Sequence, residues 1–311
     1  MKIRPDVKSH PRIWNRLKKQ WTLQLMVWFG LLFLIIFRIL PISGMQLAFK
    51  ELLPGFTIAD SPWVRFKHFE NFFYSGAFSQ VMMNTITLSL GKILFGFPVP
   101  VILALLLNEL NSQKTKTLVQ GITYLPYFLS WVVIFGVMNG ILAFQGGAIN
   151  DVLMILGFID EPIHFLGTPS YFKPIMVVLD IWKEMGWGAI IYTAAIAGID
   201  SQLYEAATVD GAGKFRRVIS ITIPLIMPTI IIMLILRVGS ILDAGFDQIL
   251  VFRNPITHDV ANIIDVYVYE IGLRQGRFGY ATAVGFFKSI ISFILIFLTN
   301  KLASRYEMGL W

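Results

Sequence analysis

Apolar residues run along this chain in long blocks rather than at alternating or every-third positions. Six blocks are long enough for a helix to cross a bilayer, which takes about 20 apolar residues. They are 22–43, 81–107, 118–144, 174–197, 224–243 and 282–300, each bounded by polar, Gly or Pro residues. Leu23–Phe37 and Thr229–Leu236 are almost uninterrupted, with none of the polar face that a helix in a soluble bundle keeps. The pattern predicts an all-α integral membrane protein with six transmembrane helices. Pro98, Pro100, Pro126 and Pro228 fall inside the blocks, where neighbouring helices can satisfy the carbonyls that a proline frees. The expected organisation is a basic leader 1–21, a membrane domain 22–300 and a tail 301–311.

Composition agrees with that class. Of 311 residues 56% are hydrophobic and 14% charged, against roughly 25% charged in a soluble domain. There is no cysteine, so disulfides, thiolate metal sites and cysteine nucleophiles are excluded. The histidines (His10, His68, His164, His258) lie far apart outside the apolar blocks, which argues against a metal site. The first block is too long for a signal-peptide core, so no cleaved signal is expected. The net charge of +7 does not point to nucleic acid, because sidedness explains it. Fourteen Lys and Arg fall in the leader, the tail and the two loops on the same side, against seven in the three opposite loops. Both termini are therefore expected in the cytoplasm, with the lipid bilayer as solvent. The outer loops 44–80 and 244–281 carry clusters of aromatics, which fit either a docking surface for a partner protein or an interfacial belt.

Charges inside the blocks are costly and usually face the bundle interior or a water-filled cavity. They are Arg38, Lys92, Asp180, Lys183, Glu184, Arg237, Asp243 and Lys288. Arg38 and Lys288, near the outer ends, are read as snorkelling. Asp180, Glu184 and Trp187 share a helix face at i, i+4, i+7 spacing. At about 1.5 Å of rise per residue they lie in the outer half of the membrane, as does Arg237. Arg237 is expected to pair with Asp180 or Glu184, either as structural glue or as part of a polar, aromatic-lined path. Trp182, Tyr192, Asn84 and Asn139 are further candidates for that path. Sugar rings suit such a lining, since they present flat C–H faces to aromatics and hydroxyls to polar groups. Gly136 and Gly140 form a small-residue face expected to pack within the chain.

The loop 198–223 is the one interior segment large enough to be structured. Tyr204–Val209 reads as a short helix in which Ala206 and Ala207 leave a low surface for close approach. Glu205 and Asp210 offer carboxylates to a partner's basic groups, and Gly211 permits a sharp turn. A second amphipathic helix, Lys214–Thr222, is expected to lead to Pro224, where the fifth span begins. Gly211–Lys214 is no phosphate loop, because Thr208 and Phe215 stand where the motif needs Gly and Ser or Thr.

This loop resembles the signature of ABC importer permeases: Glu205-Ala206-Ala207, three residues, Gly211, nine residues, then Ile221-x-Ile223-Pro224. Ile223 stands where the family has Leu. Flanking segments widen the likeness over about residues 22–311. Leu103-Ala-Leu-Leu-Leu-Asn-Glu-Leu, Tyr124-Leu-Pro-Tyr-Phe-Leu-Ser-Trp, Asp180-Ile-Trp-Lys-Glu-Met-Gly-Trp and the ending Gly309-Leu-Trp are similar to the sugar-permease branch, within it to the LplB-like and maltose-permease-like subunits. The resemblance implies a type I importer in the bacterial cell membrane. It implies a second, homologous permease subunit, two copies of an ATPase subunit and an extracytoplasmic sugar-binding protein, lipid-anchored or periplasmic. It also implies that the loop docks into the ATPase, that ATP and Mg2+ act there, and that this chain binds no cofactor and is not an enzyme. A permease for a non-sugar solute is the nearest alternative. A gradient-driven transporter would be expected to show an internal repeat or matched broken helices.

Overall fold

The computed structural model describes residues 20–305 and residue 309; the leader up to residue 19 and Leu310-Trp311 of the C-terminal motif lie outside them. Among the described residues every regular element is helical, and β pairing is confined to one antiparallel bridge between Lys50 and Trp63. In chain order the helices are α1 (Trp21–Leu34), α2 (Lys67–Phe73), α3 (Gly76–Gly91), α4 (Pro98–Asn108), α5 (Gln113–Tyr124), α6 (Trp131–Ile141), α7 (Ala148–Ile155) and α8 (Pro169–Ala197). There follow α9 (Ser201–Val209), α10 (Lys214–Arg217), α11 (Ile223–Gly239), α12 (Phe246–Phe252), α13 (His258–Ala261), α14 (Ile264–Tyr269) and α15 (Phe278–Ser304). Wider π turns at Ile35–Ile39, Lys92–Gly96, Val218–Thr222 and Glu270–Arg274 extend α1, join α3 to α4 and α10 to α11, and end α14.

Among the described residues four continuous helical runs are long and apolar enough to cross a membrane: Trp21–Phe49, Gly76–Asn108, Lys214–Gly239 and Phe278–Ser304. The block expected at 174–197 lies in α8, which at 29 residues is long enough. It also carries Lys173, Asp180, Lys183 and Glu184, so its crossing depends on what neutralises them. The block 118–144 is not one straight span. It is a pair of helices, Gln113–Phe128 and Trp131–Ile141, bent by 104°. Pro126 starts a 3-10 turn, Leu129 is extended, and Ser130 caps α6 by accepting from the Val133 amide at 3.3 Å. A proline removes one ladder donor, and an N-capping serine starts a new ladder.

Two further expectations are corrected. Lys214–Thr222 is not a separate helix: it runs through the π turn into α11, with Pro224 in the first turn, where a missing N–H costs least. The face of Gly136 and Gly140 packs on nothing among the described residues, since a Cβ built at either meets open space.

Packing centres on α8. It lies against α4, α5 and the Lys92–Gly96 turn, and a Cβ at Gly186 would sit 2.0 Å from the Thr123 carbonyl oxygen, so only glycine lets α5 come so near. Three apolar clusters result. One joins Leu88, Ile134, Phe172 and Met176 to Ile249 and Phe252 of α12. Another gathers Phe72, Val81, Leu242, Ile264 and Tyr280, and a third holds Ala104, Ala189, Tyr192, Ile196 and Ile226. The aromatics of 44–80 and 244–281 thus divide: Phe72 and Tyr280 are core, whereas Trp63, Phe66 and Tyr74 are exposed. The apolar window of the first span has no buried residue, as for a helix solvated by lipid.

Candidate functional site

The loop after α8 begins where Gly198 ends that helix and Asp200 caps α9 by accepting from the Gln202 amide at 2.9 Å. No side chain of α9 is buried, and Glu205, Ala206 and Asp210 are open to solvent. Val209 and Phe215 are 88% and 79% exposed. What holds so bare a helix is a ring of local bonds. Tyr204 Oη meets Thr222 Oγ1 at 2.9 Å, Arg217 donates to Thr208 Oγ1 at 2.6 Å, and the Ala212 amide donates to the Ala207 carbonyl at 2.8 Å. Gly211 turns the chain with φ +77°, a left-handed conformation that glycine adopts without strain. Ile221 and Pro224 lie at the base, in the joint between α10 and α11. The arrangement presents a preformed ridge of apolar and acidic groups.

The second candidate region lies around Asp180. Its Oδ1 accepts from Lys92 Nζ at 2.7 Å, and Lys92 also donates to Gln248 Oε1 at 2.6 Å. Gln248 Nε2 donates to the Met176 carbonyl at 2.8 Å, which ties α12 to α8. Arg237 approaches the other carboxylate oxygen at 3.4 Å. The side chains of Lys92 and Asp180 are 4% and 12% exposed, whereas Arg237 is 43% exposed. Of the two partners expected for Arg237, the geometry selects Asp180. Lys92 and Gln248 were not foreseen as its companions. The one sequence sign was Lys92 itself, a lone cation in an apolar block with no carboxylate within a helical turn.

Asp180, Glu184, Trp187, Tyr192 and Arg237 line one cavity of about 200 Å³ between α4, α8 and α11. Glu184 also lines a cavity of about 490 Å³ beside the α5–α6 bend, with Tyr127, Trp131, Lys183 and Asp247. The remaining candidates lie elsewhere. Asn84 is buried and donates to the carbonyls of Asp259 at 2.6 Å and Asn262 at 3.2 Å, pinning α13 to α3. Asn139 is exposed in a separate cavity of about 390 Å³ with His164 and Asn254, and Trp182 packs on the first apolar cluster. Lys288 does not snorkel: it is paired with Asp243, and with Asp265 at 2.5 Å.

On the far side of these spans, Glu51 and Glu270 hold the loops. The hydrogen bond from Lys67 lowers the Glu51 carboxyl below its ordinary value. Glu270 is lowered by its bond from Arg253 and then by Arg274 at 3.1 Å, against the opposing effect of burial.

A helical membrane protein with a bare, preformed loop at one end and a charged, aromatic-lined cavity among its spans has the make-up of a permease. Residues 96–308 match the family described as binding-protein-dependent transport system inner membrane component, and the chain belongs to that family. It is 43% identical to Protein LplB of Bacillus subtilis over 94% of this chain and 91% of that protein. It is 40% identical to the polygalacturonan/rhamnogalacturonan transport system permease protein YteP of the same organism, over 98% and 94%. Its fold matches a subunit of a bacterial ABC transporter involved in the import of the acidic polysaccharide alginate. There the TM-score is 0.86 and the identity 37%, over 95% of this chain and 99% of that one. The chain is thus a multi-pass inner-membrane permease of the ABC-importer class.

Proposed function

We propose that this chain is the permease subunit through which an ABC importer passes an oligosaccharide into the bacterial cytoplasm. The observation that carries this reading is the likeness over nearly the whole chain, at 40% identity, to a permease named for polygalacturonan and rhamnogalacturonan. The cavity chemistry supports it: carboxylate and guanidinium groups for hydroxyls, and Trp187 and Tyr192 for ring faces. At about 200 Å³ it is smaller than the roughly 300–1,000 Å³ of a complete ligand site. The remaining wall would come from a second permease subunit.

In this reading α8 and the bent pair complete six spans, and the Lys/Arg asymmetry sets both termini in the cytoplasm. Glu205–Gly211 docks into the cleft of one of two partner ATPases, which bind ATP and Mg2+. A binding protein delivers sugar to the outer loops, and the neighbouring fold comes from a transporter also solved in complex with an alginate pentasaccharide-bound periplasmic protein. Alternating access follows when ATPase closure moves the loop, because a change of state needs a contact that differs between the states and the loop supplies one.

The test is purification of the tagged chain from its own membrane beside Glu205→Arg. The wild type should bring down an ATPase and a second permease, and the variant should lose the ATPase alone. Uptake of a labelled oligosaccharide by the reconstituted complex then follows. A lone chain without ATPase, or a complex that transports no saccharide, would overturn the assignment.

A further inference from the structure

At the α5–α6 bend, Lys183 of α8 donates to the Tyr127 carbonyl at 2.5 Å. In an unbroken helix that carbonyl would accept from the amide of Trp131, four residues on. The extended Leu129 carries that amide away. Lys183 is buried, and among the described residues its ammonium has no carboxylate within ion-pair distance. Its charge rests over the rings of Tyr127, at 5.0 Å, and Trp131, at 5.7 Å. An ammonium held from water by one carbonyl and two ring faces is a costly choice of side chain. The Tyr127 ring stacks on Trp187, one turn along α8 from Lys183, with centroids 4.5 Å apart and planes within 5°. Lys183 and Trp187 thus grip both sides of one residue, Tyr127, at the corner of the bend.

We propose that Lys183 is a positioning residue for transport: by capping the Tyr127 carbonyl it fixes the bend, and through the bend it holds Trp187 as a flat platform in the sugar path. The proposal rests on the oligosaccharide reading. Glu184, the residue next to the clamp, lines both cavities. Lys183→Met leaves the carbonyl without its donor and frees the stack, whereas Lys183→Arg keeps a cation and a donor.

The experiment uses the assembled transporter in nanodiscs. Because this chain has no cysteine, Leu118→Cys and Val137→Cys place two spin labels at exposed positions on either side of the bend. The expected result has three parts. The inter-label distance is single and narrow with Lys183 or Arg, and broad or shifted with Met. The apparent KM for oligosaccharide uptake rises about tenfold in Lys183→Met while the maximal rate stays within twofold, and Lys183→Arg restores it. ATPase recovery is equal in all three. An unchanged distance and KM in Lys183→Met, with uptake impaired in Trp187→Ala, overturns the positioning role and leaves the path reading intact. Normal uptake in both variants removes the path itself.

Discussion

In the loop that holds Glu205, no side chain of α9 is buried, and the shape rests on local bonds from Tyr204 to Thr222, Arg217 to Thr208 and Ala212 to Ala207. Around Asp180, four side chains from four segments of the chain share one network, and Lys92 and Asp180 are almost wholly removed from solvent. The first region looks outward for the partner that would cover it, and the second has found its partners inside the chain. A substitution in the loop should therefore act on association, and one in the cluster on the fold.

The strongest test of that contrast is Lys92→Met. It leaves Asp180 buried with only the longer Arg237 contact, and removing one partner of a buried pair costs about 3–5 kcal/mol. Thermal unfolding of the assembled complex should show the loss, and Lys92→Met with Asp180→Leu should recover most of it. A single variant as stable as the wild type would mean that the cluster is not structural.

Gly211→Ala comes next. A Cβ there meets nothing within 4 Å, so the whole effect is the left-handed backbone at φ +77°. At about 1–2 kcal/mol the free loop should relax out of its preformed shape and, on the proposed function, bind the ATPase roughly tenfold more weakly, with no change in unfolding temperature. A fall in that temperature would place the loop inside the folding unit.

Arg237→Met should change stability by only about 0–1 kcal/mol, as for a partly exposed pair. Yet it should lower uptake severalfold, since the guanidinium faces the cavity; normal uptake would reduce Arg237 to glue.

The smallest effect is one of pH. Glu270 has a lowered pKa in the fold, so its contribution is fully present above the unfolded value of 4.5 and is lost as pH falls through the lower folded value. The opening of amides in 253–274, read from hydrogen exchange corrected for its intrinsic pH dependence, should be flat from pH 8 to 5 and should rise only below 4.5. An increase near neutrality would contradict the Arg253–Glu270–Arg274 linkage.

The same contrast decides what the sequence made legible. The loop is local: its spacing from Glu205 to Pro224 lies within one segment, so a linear reading finds it. The number and place of the apolar blocks are local too. The Asp180 network joins residues 88 and 156 positions apart, and hydropathy carries no record of such pairings. The bend at Leu129 had both its signals in view, Pro126 and Ser130, yet uniform apolarity from 131 to 138 masked them. The aromatics of the outer loops misled differently, because an apolar ring reads the same whether it is bound for the core, as Phe72 is, or for the surface, as Tyr74 is.

The π turn at Lys92–Gly96 has a consequence for how this chain can vary in length. A π turn houses one residue more than the α turn it replaces, so this span carries an absorbed insertion. The buried positions register it. Val81, Asn84, Thr85 and Leu88 form one stripe before the turn, and Ala104 and Leu107 resume a displaced one after it. Were the turn to tighten into the α ladder without losing a residue, one half of the span would swing by about 100° about its axis. Either Lys92 would leave Asp180, or Ala104 would leave α8. In this stretch the chain can lose one residue and keep both faces, so a gap of one is milder here than in the α turns on either side.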